Sequence, residues 1–301
     1  MKTPTYEDIL ASTAADDDRI VIMTAENRAA IRSLPSKLGR RFIDVGIAEQ
    51  TMIGAAAGLA LRGRIPVVHA LATFLTMRAF EFIRDDIGIP ALPVKLIGAV
   101  PGVLSDGNGP THQALEDIAL MRGIPSMRIF CPSDAEELAG ALPAILHDPH
   151  PWYVRYYAGP PAVVHTDPFV IGNAEVLTRG SDISIITYGF MLREAAIAME
   201  MIARRGYSVR LINLRTLKPI DESAVLDAVR GTELVVTLED HFQTGGLASI
   251  IAEILLRKRI MTNVLPITFG ERWFHPALLN DVLRNERMDA GSLVETILDA
   301  M

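Results

Sequence analysis

Short apolar runs recur along the chain, and between them lie longer stretches whose apolar positions fall at helical spacing. Tyr6 to Ala15 predicts a short amphipathic helix, closed by the acidic turn Asp16 to Asp18. Arg19 to Thr24 (RIVIMT) predicts a β-branched strand that ends at Ala25-Glu26-Asn27. Phe42, Ile43 and Val45 form the next strand, Gly46 turns the chain, and a helix rich in small residues runs on to Arg62. Further strands are expected at Ile65–Leu71, Pro93–Val100, Met127–Phe130 and Trp152–Tyr157. Helices are expected at Leu75–Ile87, at Ala114–Arg122, and from Ser133 to about His147, where Ser133-x-x-Glu136 has the form of a capping box.

Gly159-Pro160-Pro161 opens a turn-rich bridge to about Gly172, and beyond it the alternation restarts. Strands are expected at Ile183–Tyr188, Ser208–Asn213, Glu233–Leu238 and Val264–Thr268. Helices are expected at Leu192–Arg204, Ser223–Arg230, Leu247–Arg257 and near Gly291–Ala300. Nearly continuous apolar strands alternating with helices mean parallel sheets covered on both faces. The expected fold is therefore α/β in two domains, residues 1–170 and 171–301, each a mostly parallel sheet covered by helices.

Half of the 301 residues are hydrophobic and the formal net charge is −7. That balance argues against nucleic acid or an anionic membrane surface as a partner. No run approaches the roughly 18 apolar residues of a membrane span. The amino terminus lacks the apolar core of a signal peptide, which points to a cytoplasmic protein. Cys131 is the single cysteine, leaving no disulfide or cysteine-rich metal site within one chain. No metal-ligand set is expected in this chain.

Glu49 stands in the first turn of a helix that continues Thr-Met-Ile-Gly-Ala-Ala-Ala-Gly-Leu-Ala-Leu, with no polar face for water. A buried carboxylate is costly without a partner, and such groups concentrate at functional sites; the alternative is a salt bridge at the helix start. The loop Ser105-Asp106-Gly107-Asn108-Gly109-Pro110-Thr111-His112-Gln113 sits at the carboxyl side of a strand, where α/β sheets bind ligands. His112 is a candidate acid/base there, against the reading of a surface loop capped by Thr111. His69, inside an apolar strand, reads as a hydrogen-bonded core histidine. Phe74, Met77 and Phe80 recur at helical spacing, which alone means core. Glu239-Asp240-His241 after a strand is either an interface element or a solvated strand end.

Taken together, VGIAEQ, ATFLTMRAF, the DGNGPTHQ loop, ALEDIALMRGIP and CPSD resemble the transketolase family in this order and spacing. The similarity covers roughly residues 18–160, and the second half is similar to that family's carboxy-terminal domain. The nearest form looks like the carboxy-terminal subunit of a split transketolase: a thiamine diphosphate pyrimidine-type domain followed by a transketolase C-terminal-like domain. The resemblance implies transfer of a two-carbon ketol unit between a ketose-type donor and an aldehyde acceptor. It makes Glu49 the glutamate that hydrogen-bonds the aminopyrimidine ring of thiamine diphosphate. It places Phe74, Met77, Phe80, Glu26 and Ile47 around that cofactor, with stacking falling to Phe74 and Phe80. Asn108 and His112 would meet substrate, and His112 would contact donor oxygens as charge develops.

The sequence departs from the family in two ways. It lacks the Gly-Asp-Gly motif and downstream asparagine that hold the diphosphate and its Mg²⁺. An obligate N-terminal transketolase-type subunit is therefore expected to carry that site, in a heterotetramer. The residues expected to grip a sugar phosphate fall at Ala158, Val100 and near Ala30. Either the acceptor carries no phosphate, or Arg28, Arg32, Arg155 or partner residues replace the lost contacts. Two other readings stay open: a β-type subunit of a 2-oxo-acid dehydrogenase or decarboxylative synthase, and a non-catalytic assembly subunit.

Overall fold

A computed structural model describes residues 4–270, 272–273 and 275–301. Among these residues, six strands precede the bridge: β1 (Ile20–Thr24), β2 (Phe42–Asp44), β3 (Ile65–Leu71), β4 (Lys95–Ala99), β5 (Arg128–Phe130) and β6 (Trp152–Tyr156). Six follow: β7 (Glu175–Thr178), β8 (Ile183–Thr187), β9 (Val209–Asn213), β10 (Thr216–Lys218), β11 (Leu234–Phe242) and β12 (Val264–Phe269). They form a seven-stranded sheet in the order β10-β5-β6-β4-β3-β1-β2 and a five-stranded sheet in the order β12-β11-β8-β9-β7. Pairing is parallel except at two edges, where β10 runs antiparallel to β5 and β7 antiparallel to β9. Strands β1, β8 and nearly all of β3 and β11 are buried along their length, as sheets covered on both faces require.

The expected α/β architecture is present, with local differences. The helix Ala135–His147 is capped by Asp134, which accepts from the amides of Glu136 and Glu137 (2.8 and 2.9 Å). Glu137, one residue later than anticipated, reaches back to the amide of Ser133. The segment expected as one helix from Leu75 is wound as wide π turns at Phe74–Arg78 and Ile83–Gly88, flanking a short α turn at Phe80–Phe82. Such widening is common at functional sites. His69 accords with the core reading: its Nε2 meets the Tyr6 hydroxyl at 2.7 Å and burial pushes its pKa down to about 4.

The two halves are fused rather than merely tethered. One apolar cluster runs from Met23, Ile53 and Leu96 through Ile186, Ile212 and Leu247. Glu239, Asp240 and His241, fully buried, lie within β11 and not at a wet strand end. Arg155, on β6, is held by Asp117 from its own domain (2.8 Å) and by Asp240 from the other.

A second clasp involves the bridge. His165 is hydrogen-bonded to Asp134 and Glu175 (2.7 Å each), and Arg215 pairs with Glu137 and Glu175. The Asp134 and Glu175 carboxylates raise the His165 pKa to about 10. Burial alone would raise Glu175, but His165 and Arg215 bring it down to about 2. A raised histidine stabilises below its unfolded pKa of about 6.5 and loses that contribution as pH climbs toward 10. A lowered carboxylate stabilises above its unfolded value of about 4.5 and loses it as pH falls toward 2. Urea titrations of wild type and His165→Gln should therefore differ most near pH 6. The gap should narrow steadily by pH 9.5; a gap that widens with pH would remove this role for His165.

Candidate active site

The turn after β2 is fixed by its own side chain. Asp44 accepts from the Gly46 and Glu26 amides (2.9 and 3.3 Å) and from Arg28 Nε (2.6 Å). Gly46, at φ +70°, sends the chain into the helix Glu49–Leu61. Glu49 opens that helix at 2 % exposure, beneath Ile47, which stands 72 % exposed. Glu26, at the carboxyl end of β1, holds the left-handed φ of +57° without being glycine, a strained backbone of the sort kept at ligand sites.

A cavity of about 290 Å³ opens here, lined by Ala25–Ala29 at the end of β1, and by Ile47, Glu49, Leu71 and Phe74. The carboxylate of Glu49 accepts from Arg78 Nη1 at 2.8 Å, and the Arg78 guanidinium lies 4.2 Å from the centre of the Phe74 ring. Phe74 in turn meets the His112 ring edge-on, with centroids 5.1 Å apart. Glu49, Arg78, Phe74 and His112 thus form one continuous chain of contacts, drawn from the helix, the π turn and the Gly/Pro loop.

The loop bearing His112 is pinned at its neck. Gly102 and Ala114 exchange backbone hydrogen bonds (3.1 and 2.9 Å). Gly102 lies at φ +57°, and any Cβ there would collide with Asp240 and Arg155. The interdomain clasp therefore buttresses the loop that presents His112. His112 is half-buried, with Nδ1 at 2.9 Å from Thr111 Oγ1.

The other expected site residues divide. Glu26, Ile47, Glu49 and Phe74 share the cavity wall. Met77 is 37 % exposed and takes a Thr73 hydroxyl contact on its sulfur, while Phe80 packs against the central core; neither lines the cavity. Asn108 is exposed in the turn Asp106–Asn108 and donates to Ser105 Oγ (3.2 Å). Arg155 is enclosed by carboxylates and is not placed to take a substrate phosphate. Arg28 pairs with Asp44 yet stays half-exposed on the cavity wall, and Arg32 is exposed, so both remain accessible to an anion. Arg78 was not anticipated; its only sequence signal is a cation inside the aromatic segment Phe74 to Phe80. Among the described residues, Glu137, His165 and Glu175 have atoms close enough to share a metal ion, but they lie at the interdomain clasp and already serve Arg215 and one another.

The chain matches the family models "Transketolase, pyrimidine binding domain" over residues 3–158 and "Transketolase, C-terminal domain" over residues 172–282. The chain belongs to the transketolase family. Within it, a 6-deoxy-6-sulfo-D-fructose transketolase subunit, SqwH, from Clostridium sp. (strain MSTE9) is 39 % identical over 83 % of this chain and 79 % of its own. The 1-deoxy-D-xylulose-5-phosphate synthase of Thermomicrobium roseum is 34 % identical over 98 % of this chain, which spans 48 % of that longer protein. A solved split-gene transketolase, described as an inactive beta4 tetramer, superposes with a TM-score of 0.88 at 32 % identity, covering 98 % of this chain and 96 % of its own. Among the described residues, no helix is long and apolar enough to cross a membrane.

Proposed function

We propose that this chain is the pyrimidine-binding and carboxy-terminal subunit of a split, thiamine diphosphate-dependent transketolase. It would serve transfer of a two-carbon ketol unit from a ketose-type donor to an aldehyde acceptor. One observation carries the reading. Glu49, almost fully buried, accepts from a flat N–H donor, and that donor rests on the face of Phe74. A planar, nitrogen-bearing ring asks for the same two contacts, so the Arg78 guanidinium is a stand-in for an aminopyrimidine. Arg78 is 38 % exposed on its π turn and has solvent to swing into.

Thiamine diphosphate, when bound, supplies the carbon nucleophile that ketol transfer needs. Glu49 would hold the ring nitrogen's proton in a dry setting, where a carboxyl group is effective as an acid/base. Phe74 and Leu71 would set the plane of the ring and exclude water. His112, against the edge of Phe74, would donate to substrate oxygens as they gain charge. The chain has no Gly-Asp-Gly motif with a downstream asparagine, so the diphosphate and Mg²⁺ fall to a partner subunit, with assembly as a heterotetramer. The description of the superposed relative as a split-gene protein supports this division. Ala30 and Ala158, two of the positions expected to grip a phosphate, line one groove, which favours an unphosphorylated substrate.

The similarity to 1-deoxy-D-xylulose-5-phosphate synthase over nearly the whole chain favours one second reading, decarboxylative transfer from pyruvate. Reconstitution decides between them. The purified chain alone should give no turnover. Mixing it with an N-terminal transketolase-type subunit, thiamine diphosphate and Mg²⁺ should give ketol transfer from a ketose without CO₂ release. Turnover by the chain alone defeats the split-site proposal, and CO₂ from pyruvate selects the second reading.

A further inference from the structure

We infer that Pro276, in the carboxy-terminal half, is a positioning residue for His112: its ring seats the tip of the Gly/Pro loop and so sets where the imidazole stands. This rests on the role given to His112 above and adds to it a residue that no motif marks. None of the residues lining the cavity beside Glu49 comes from the carboxy-terminal half. That half nonetheless holds the loop at three levels. At its feet, Val103 and Leu115 are buried in an apolar cluster with Ile185, Leu238 and Phe269, and Leu104 packs against the same cluster. Phe242, at the end of β11, donates its amide to the Leu115 carbonyl (3.1 Å). At the neck, Asp240 closes on Gly102. At the tip, Gly109 lies against Pro276.

The tip contact leads directly to His112. Gly109 has a φ of +72°, and a Cβ there would collide with Pro276 Cγ while standing 3.2 and 3.3 Å from its Cβ and Cδ. Ring and backbone are therefore closer than any residue with a side chain would allow. The Gly109 carbonyl accepts from the amides of both His112 and Gln113 (2.9 and 3.2 Å), so a shift of this peptide is passed on to His112. The His112 ring in turn meets Phe74 on the cavity wall. Gly107, Asn108 and Thr111, which flank the contact, are exposed, and the loop tip has little packing of its own.

Pro276 suits the task for two reasons. Its pyrrolidine ring has no rotamers to relax into, where a flexible side chain would yield. It is also anchored on both sides. Trp273 meets Phe242 edge-on, with centroids 5.3 Å apart, and Ala277 and Leu279 pack against the cluster that buries Val103 and Leu115. Loop and seat thus share one foundation.

Pro276→Ala, which removes the outer carbons of the ring, tests this. In the reconstituted enzyme it should lower kcat by about ten- to a hundredfold, the cost of a displacement near 1 Å at a reacting group. KM for the donor should stay within about threefold, because the His112 contact strengthens only as charge develops. Thermal unfolding of the free chain should shift by less than about 3 °C. A second measurement needs no turnover. The imidazole C–H resonances of His112 in the free chain, assigned by their loss in His112→Asn, should be displaced by the Phe74 ring in wild type. In Pro276→Ala they should move toward the values of a solvated histidine. Pro276→Val, which restores branched bulk, should recover most of both effects. Leu278→Ala, at an exposed position two residues on, should leave both as in wild type. Unmoved His112 resonances in Pro276→Ala overturn the inference, as does a kcat within about twofold of wild type. A larger loss of stability, or an equal effect from Leu278→Ala, marks a merely structural segment and overturns it too. Absence of ketol transfer by the wild-type enzyme condemns the ketol-transfer reading instead, and the His112 resonances alone then decide whether Pro276 seats the loop.

Discussion

Glu49→Gln should lower kcat of the reconstituted enzyme by about 10²- to 10⁴-fold, the range that a positioned acid/base group contributes. The amide keeps the size of the side chain and can still accept from Arg78, so the helix start and the cavity should survive. What it loses is the exchangeable proton. The position is also dry: Glu49 is 2 % exposed, so water is poorly placed to substitute as the acid/base. Turnover should be read beside thermal unfolding of the free chain, which should be nearly unchanged. A variant that retains more than about a tenth of wild-type kcat would remove Glu49 from the chemistry, since a missing acid/base group costs at least about a hundredfold.

Arg155→Leu should be the most damaging change to stability outside the apolar core. Its guanidinium lies between Asp117 and Asp240, and all three are buried. Removing the cation leaves two carboxylates without a counter-charge, at a cost of about 3–5 kcal/mol. Asp240 gives the direction of the response. Burial already raises its pKa to about 6, opposed by Arg155, and without the arginine it should take up its proton at still higher pH. Arg155→Lys should recover little, because a single ammonium cannot replace the fork that serves both carboxylates. Urea midpoints of the isolated chain read this directly. A loss below about 1 kcal/mol, typical of an ordinary substitution, would mean that the clasp is not a principal tie. The same variant should also loosen the neck at Gly102 and Ala114, and with it the placement of His112.

The alternation of apolar runs made the two-sheet architecture legible, because buried parallel strands leave a continuous hydrophobic signature. Glu49 was legible as an acid entering an apolar helix, whereas Glu26 and Ile47 entered only through the resemblance to the transketolase family; all three line the cavity. What escaped depended on contacts distant in sequence. Glu239-Asp240-His241 looked as much like a wet strand end as an interface, since the partner that makes burial tolerable, Arg155, is 85 positions away from Asp240. Thr216-Leu217-Lys218 was too short and too mixed to read as a strand, yet it pairs with β5. Met77 and Phe80 joined Phe74 at the cofactor only through the resemblance; their helical spacing alone meant core, and Phe80 does pack there. The π winding at Phe74–Arg78 adds a residue to the turn and rotates the later side chains off the face that Phe74 presents to the cavity. Arg78 had no local signal of pairing, because its acceptor lies 29 positions upstream.

The antiparallel edge strand β10 carries a consequence for anyone dividing this protein. A fragment ending in the bridge would contain every residue of the proposed coenzyme pocket, yet it would strip the lateral cover from Arg128–Phe130 and bare a row of unsatisfied amides and carbonyls. Such a piece should self-associate through that margin. Isolating the pyrimidine half in monomeric form therefore calls for carrying Thr216–Lys218 along, grafted by a linker, rather than cutting at the sequence boundary.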